Sequence, residues 1–192
     1  MFADDPSRAQ TLTYESLYRS ARRVAHGLRA LGVAPGDTVA LMLPTGRDYF
    51  ACFAGILFAG AVAVPVYPPA QAARLADHLR RHVAILVNAA VRTMIVPEGA
   101  ETAVALVRVW APALERVIVP GALMGPEIGE SYEARAADVA FLQYTSGSTG
   151  TPKASCSRMR ICSPTSTRWV ARSALIGTTY SRAGCRFTTT WA

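Results

Sequence analysis

At 192 residues the chain is long enough for one domain of ordinary size. Its formal net charge of +7 is unevenly placed: residues 1–153 carry 14 Lys and Arg against 13 Asp and Glu, whereas residues 154–192 carry six Arg and no acid. The basic balance therefore belongs to the C-terminal stretch, and it gives no ground for nucleic acid or an anionic membrane as the partner of the remainder.

The first residues, Met1-Phe2-Ala3-Asp4-Asp5-Pro6, put two acids where a secretory signal needs positive charge and then an apolar run, which predicts a cytoplasmic protein. Thr13 is placed to cap a helix from Tyr14 to about Leu31, with Leu17, Ala21, Val24, Ala25, Leu28 and Leu31 on one face. Arg19, Arg22, Arg23 and Arg29 fall mostly off that face and read as a solvated surface rather than a binding stripe. Gly32 is expected to end the helix in a left-handed cap, and Pro35-Gly36-Asp37 to turn the chain into a strand from Thr38 to Leu43.

From Tyr49 to Ala73 no residue is charged, a stretch long enough to span a bilayer. Gly55, Gly60, Pro65, Pro68 and Pro69 interrupt it, however, and the apolar spacing changes from helical (Phe50, Phe53, Ile56, Leu57) to alternating (Val62, Val64, Val66). After a turn from Pro44 to Arg47, it reads as a buried helix to about Ala59 and a buried strand from Ala61 to Tyr67, with no integral membrane segment. So apolar a helix must be covered on more than one side. Cys52 sits alone within it, and Cys156, Cys162 and Cys185 lack metal-type spacing.

A second amphipathic helix, roughly Ala72 to Ala89, leads to a strand from Arg92 to Val96. His78 and His82 share a face of that helix but have no third ligand, and they are read as solvated. A short helix from Glu101 to Trp110, a strand from Arg116 to Val119 and a connecting loop over residues 120–137 follow. Strands alternating with helices at this spacing predict an α/β fold with parallel βαβ units and a mostly parallel sheet.

The run Asp138-Val139-Ala140-Phe141-Leu142-Gln143-Tyr144 reads as a buried strand that enters Thr145-Ser146-Gly147-Ser148-Thr149-Gly150-Thr151-Pro152-Lys153 directly. Gly147 and Gly150 let the backbone bring its N–H groups close to a ligand, the hydroxyls add rotatable donors, and Lys153 supplies a compact positive charge. The natural guest is a polyphosphate, expected at the carboxyl end of its strand. The same composition also serves as a linker; the buried strand before it and the terminal lysine favour the phosphate reading. It is not a Walker A loop, because Thr151 and Pro152 stand between Gly150 and Lys153.

The segment YTSGSTGTPK is similar to the phosphate-loop motif of the adenylate-forming ligases, the superfamily of acyl-CoA synthetases, peptide-synthetase adenylation domains and fatty acyl-AMP ligases. LTYESL, GVAPGDTVALMLP and FAGILFAGAVAVPVYPP resemble the same family, so the likeness covers about residues 10 to 153, and PVYPP looks most like the fatty acyl-AMP ligase branch. The resemblance implies that residues 1–153 form an incomplete N-terminal subdomain of the adenylate-forming ligase fold. It also implies a parent enzyme in which a fatty-acid carboxylate attacks the α-phosphate of ATP, with Mg²⁺ assisting, to give acyl-AMP and pyrophosphate. The acyl group then passes to the phosphopantetheine thiol of an acyl carrier protein, or to CoA in related branches. Thr145, Ser146, Ser148, Thr149 and the N–H groups of Gly147 and Gly150 would hold the β- and γ-phosphates, and Lys153 would offset leaving-group charge.

No catalytic or metal-binding residue is carried over from the resemblance, because the family's remaining site segments lie beyond the point where this sequence departs. The chain alone is therefore expected to be inactive. An acyl-CoA synthetase or a peptide-synthetase adenylation domain is the alternative within the enzyme class, and a non-catalytic nucleotide-binding remnant the alternative outside it.

After Lys153 the texture changes. Residues 154–192 contain thirteen Ser and Thr, six Arg, three of the four Cys and no acid, which predicts a disordered basic tail. A shifted reading frame would account for that change; the alternative is a genuine tail. With one base lost after the Lys153 codon, residues Ala154 through Val170 permit GVLLTHANLLANIDAMG in the neighbouring frame, and Thr178 through Ala192 permit DDVFACWLPLYHDMG. Both strings resemble what fatty acyl-AMP ligases carry after the phosphate loop.

Overall fold

The computed structural model describes residues 12–68, 75–126, 131–145 and 153–158. All of them lie in the first of two units into which the chain divides, residues 1–160. In chain order the elements are α1 (Tyr14–Ala30), β1 (Thr38–Leu41), α2 (Arg47–Phe58), β2 (Val62–Pro65), α3 (Leu75–Asn88), β3 (Thr93–Ile95), α4 (Glu101–Ala105), β4 (Arg116–Ile118), β5 (Val139–Thr145) and β6 (Lys153–Arg158). Two 3₁₀ turns, Leu106–Val109 and Pro120–Leu123, lie between them.

Helix α1 begins where the sequence provides a cap. Thr13 is extended and its Oγ1 accepts the Ser16 N–H at 3.1 Å, satisfying one donor that has no partner within the helix. Leu17, Ala21, Val24, Ala25 and Leu28 form the buried stripe. At the other end Gly32 takes φ +82, its N–H donates to the Arg29 carbonyl, and the Val33 N–H reaches back to the Leu28 carbonyl. This is the left-handed closure that was expected, and it buries Val33 beside Leu28. Leu31, expected on the buried face, is instead the cap residue and 38% exposed, because the helix has already stopped at Ala30.

The same closure ends the next two helices. After α2, Gly60 (φ +79) donates to the Leu57 carbonyl and Ala61 to that of Ile56; after α3, Ala90 (φ +49) donates to Val87 and Val91 to Leu86. Each helix is thereby released toward a strand at a fixed point, and the residue following the left-handed one is buried in every case.

The sheet order is β4-β3-β1-β2-β5-β6. The first five strands are parallel, with Val39 opposite both Ala63 and Thr93 and Ala63 opposite Phe141; β6 alone runs antiparallel, on β5. Alternation along the strands divides the core in two. Val39, Leu41, Ala63 and Ile95 pack with Val24, Leu28, Cys52 and Ile56 of α1 and α2. Ala40, Met42, Val64 and Met94 pack with Leu86 of α3 and with Val104 and Val107 on the opposite face. Helix α2 is thus covered by the sheet and by α1 together, as its composition required. The predicted α/β class with alternating helices and a mostly parallel sheet holds. No helix among the described residues is long and apolar enough to cross a membrane.

Two connections depart from expectation. The stretch 101–110 divides into a short α-helix and a 3₁₀ turn, and the loop 120–137 contains the turn Pro120–Leu123, whose Leu123 is fully buried against α1. The third difference is β6. Residues from 154 onward were expected to form no regular element, yet Lys153–Arg158 pairs with β5 from Thr145↔Lys153 to Val139↔Arg158. Ladder bonds come from the backbone, so an edge strand forms there even from the polar run Lys-Ala-Ser-Cys-Ser-Arg. Residues 159–192 lie outside the described residues.

Candidate functional site

The hydroxyl- and glycine-rich motif opens from the carboxyl end of β5. Because β5 is parallel to β2, this is the edge where β1, β2 and β3 also end, as the sequence predicted. The two ends of the motif are brought together: Thr145, the last residue of β5, is the direct partner of Lys153, the first of β6. The connection between them is therefore closed by a sheet rung. Ser146, Gly147, Ser148, Thr149 and Gly150 lie outside the described residues, so of the predicted phosphate-binding set the backbone of Thr145 and Lys153 is what the structure places.

The strand leading into the motif is held from both faces of the sheet. On one, Phe141 meets Phe53 edge-on at 6.0 Å, and Phe53 stacks on Tyr49 at 6.2 Å. On the other, the Tyr144 hydroxyl donates to Asn88 Oδ1 at 2.6 Å. Burial raises the Tyr144 hydroxyl above the ordinary tyrosine range. Asn88, the last residue of α3, is a residue that sequence reasoning passed over: nothing within the helix pattern marks a partner 56 positions away.

The chain reaches β5 along a pinned path. The Tyr132 N–H donates to the Phe58 carbonyl at 2.8 Å, its ring covers Gly60, and its hydroxyl bonds Asp138 Oδ2 at 3.1 Å. Asp138 also accepts the Arg135 N–H, which fixes the turn just before the strand.

Other polar groups are occupied by structure. The Arg23 guanidinium donates to the carbonyls of Gly125 and Met124, and Arg19 pairs with Glu15, which accounts for both arginines beside the cleft between α1 and residues 124–126. Burial, with Asp48 nearby, pushes the Cys52 thiol up to about 12, so it is a core group and not a nucleophile.

The family model of the AMP-binding enzymes matches residues 2–162, and the chain belongs to that family. A putative fatty-acid–CoA ligase of Mycobacterium bovis is 33% identical over 154 residues, covering 74% of this chain and 24% of that protein. A linear gramicidin synthase of Brevibacillus parabrevis is 33% identical over 145 residues, covering 75% and 3%. The crystal structure of a fatty acid AMP ligase from Legionella pneumophila superposes with a TM-score of 0.65 at 30% identity, over 78% of this chain and 26% of that one. The chain thus spans about a quarter or less of the length of these relatives. The resemblance read from YTSGSTGTPK and the segments before it is borne out at the level of family and fold.

Proposed function

We propose that this chain carries the triphosphate-gripping part of an ATP-dependent ligase that activates a fatty-acid carboxylate as acyl-AMP for transfer to an acyl carrier protein thiol. The observation that carries this reading is the motif's placement: a donor-rich connection at the carboxyl end of a parallel strand, with Thr145 and Lys153 facing each other across its mouth. In this reading Thr145, Ser146, Ser148 and Thr149, with the N–H groups of Gly147 and Gly150, bind the β- and γ-phosphate oxygens, and Lys153 neutralises charge that builds on pyrophosphate as it leaves. A carboxylate oxygen of the fatty acid attacks the α-phosphorus, the bond to the bridging oxygen breaks, and the phosphate grip holds that arrangement in line. Mg²⁺ would be carried in with the nucleotide's phosphates; among the described residues no group of three His, Cys, Asp or Glu gathers to hold it.

Calorimetric titration of the 192-residue chain with ATP and with tripolyphosphate tests the reading. Both are expected to bind, and Lys153→Ala to weaken both at least about tenfold, the scale of a lost charged contact. Absence of binding, or binding indifferent to Lys153→Ala, overturns it. The same chain is expected to form no acyl-AMP from ATP and a fatty acid by itself. The alternative in which CoA or an aminoacyl substrate replaces the carrier protein or fatty acid draws on the likeness to a fatty-acid–CoA ligase and a gramicidin synthase.

The shifted-frame origin of residues 154–192 belongs to the same proposal. The neighbouring frame permits Gly-Val-Leu-Leu-Thr-His after Lys153, a largely apolar run suited to the position of β6. The gene decides the matter: DNA unable to encode the two neighbouring-frame strings rules the shift out.

A further inference from the structure

Tyr144 stands one residue before the rung that closes the motif, and its own partner on β6, Ala154, stands one residue after it. Its backbone is therefore part of the ladder that sets the mouth of the connection, while its hydroxyl leaves the sheet for Asn88 at the carboxyl end of α3, 2.6 Å away. Asn88 is itself fixed, because the left-handed closure at Ala90 and the bond from Thr38 Oγ1 to the Ala89 carbonyl at 2.8 Å hold the end of that helix to β1. One hydrogen bond thus links the last turn of β5 to a helix anchored two strands away in the sheet. The neighbouring residues on the strand have different tasks: Leu142 packs into the apolar core on this face and Gln143 is exposed.

We infer that Tyr144 is a positioning residue for the phosphate site, acting through its hydrogen bond to Asn88 to fix the height and direction at which β5 delivers Thr145. The inference rests on the phosphate-binding reading of the motif. Tyr144 acts at one remove from the anion: it narrows the range of orientations open to the rung Thr145–Lys153, from which the connection departs.

The test uses the full chain with Tyr144→Phe, Asn88→Leu, their combination, and Asn88→Asp, which keeps an acceptor for the hydroxyl. Tripolyphosphate affinity is read by calorimetry, stability by urea midpoint, and amide exchange by mass spectrometry of the peptide spanning residues 142–155 in the absence of ligand. Tyr144→Phe and Asn88→Leu are each expected to weaken tripolyphosphate about fivefold, with no further loss in combination. Asn88→Asp is expected to retain the affinity, and exchange in the 142–155 peptide to quicken only where the bond is lost. Unchanged affinity and exchange in Tyr144→Phe overturn the inference, as does a loss that follows the urea midpoint and is not restored by Asn88→Asp. If the unaltered chain binds no tripolyphosphate, the phosphate-binding reading fails, and the exchange comparison alone then decides whether Tyr144 orders this end of β5.

Discussion

Ala90 is the one non-glycine residue with positive φ in the described chain, at +49°. It holds the position that Gly32 and Gly60 fill after the two preceding helices, and an L side chain there crowds the following carbonyl. Ala90→Gly is therefore expected to stabilise the fold by about 0.5–1 kcal/mol, the strain relieved less the extra freedom glycine has when unfolded, read as a raised urea midpoint at unchanged slope. Cys52 gives a pH dependence of known sign. Its thiol is raised from 9.0 to about 12 by burial first and Asp48 second, so the folded chain keeps a proton that the unfolded chain releases. The stability this contributes is fully present below pH 9 and falls as pH rises toward 12. Urea midpoints measured between pH 8 and pH 10.5 should fall more steeply for the unaltered chain than for Cys52→Ala, whose own loss of packing is the same at every pH.

Among the elements, the pairing of α1 with α2 depends on a missing side chain. A Cβ at Gly55 would lie 2.5 Å from Val24 Cγ1 and 2.9 Å from the Ala21 carbonyl oxygen, so the helices approach at a distance that only glycine allows. Gly55→Ala is expected to cost about 1–3 kcal/mol, the range for overpacking a filled core. The loss should be smaller in a Val24→Gly background, because that change removes both Val24 atoms the new Cβ would meet, Cγ1 at 2.5 Å and Cβ at 2.6 Å; full additivity of the two changes in urea unfolding would show that they do not meet. Gly27 makes a similar approach to the 3₁₀ turn at Leu123, whose carbonyl oxygen would be 2.6 Å from a Cβ. There the neighbour is backbone, and substitution has no comparable relief.

For the molecule as a whole, the described core lies within the first unit, residues 1–160. Much of this architecture was legible in the sequence because its signals are local. Thr13, Gly32, the switch of spacing at Gly60 and the strand before Thr145 each declare themselves within a few residues, and each stands where the sequence put it. What escaped depends on contacts far apart in the chain or on backbone alone. Leu123 is buried by α1 rather than by any pattern of its own, Tyr144 finds Asn88 across β3, α4 and β4, and β6 is held by ladder bonds that polar side chains do not advertise. The phosphate reading of the motif was drawn from its residue types alone, whereas the pairing of Thr145 with Lys153 needed the sheet. One corner shows how far a local change can travel. Gly60 accepts the Gly36 N–H on its carbonyl and lies under the Tyr132 ring, whose nearest atom would sit 2.6 Å from an added Cβ. Any residue larger than glycine at that bend must evict the ring, and with it the clasp that steers the chain through Asp138 into β5. If the proposed phosphate site is real, damage begun beside the second helix would surface as a misdirected strand β5, and a screen for lost phosphate binding should return position 60 among its hits.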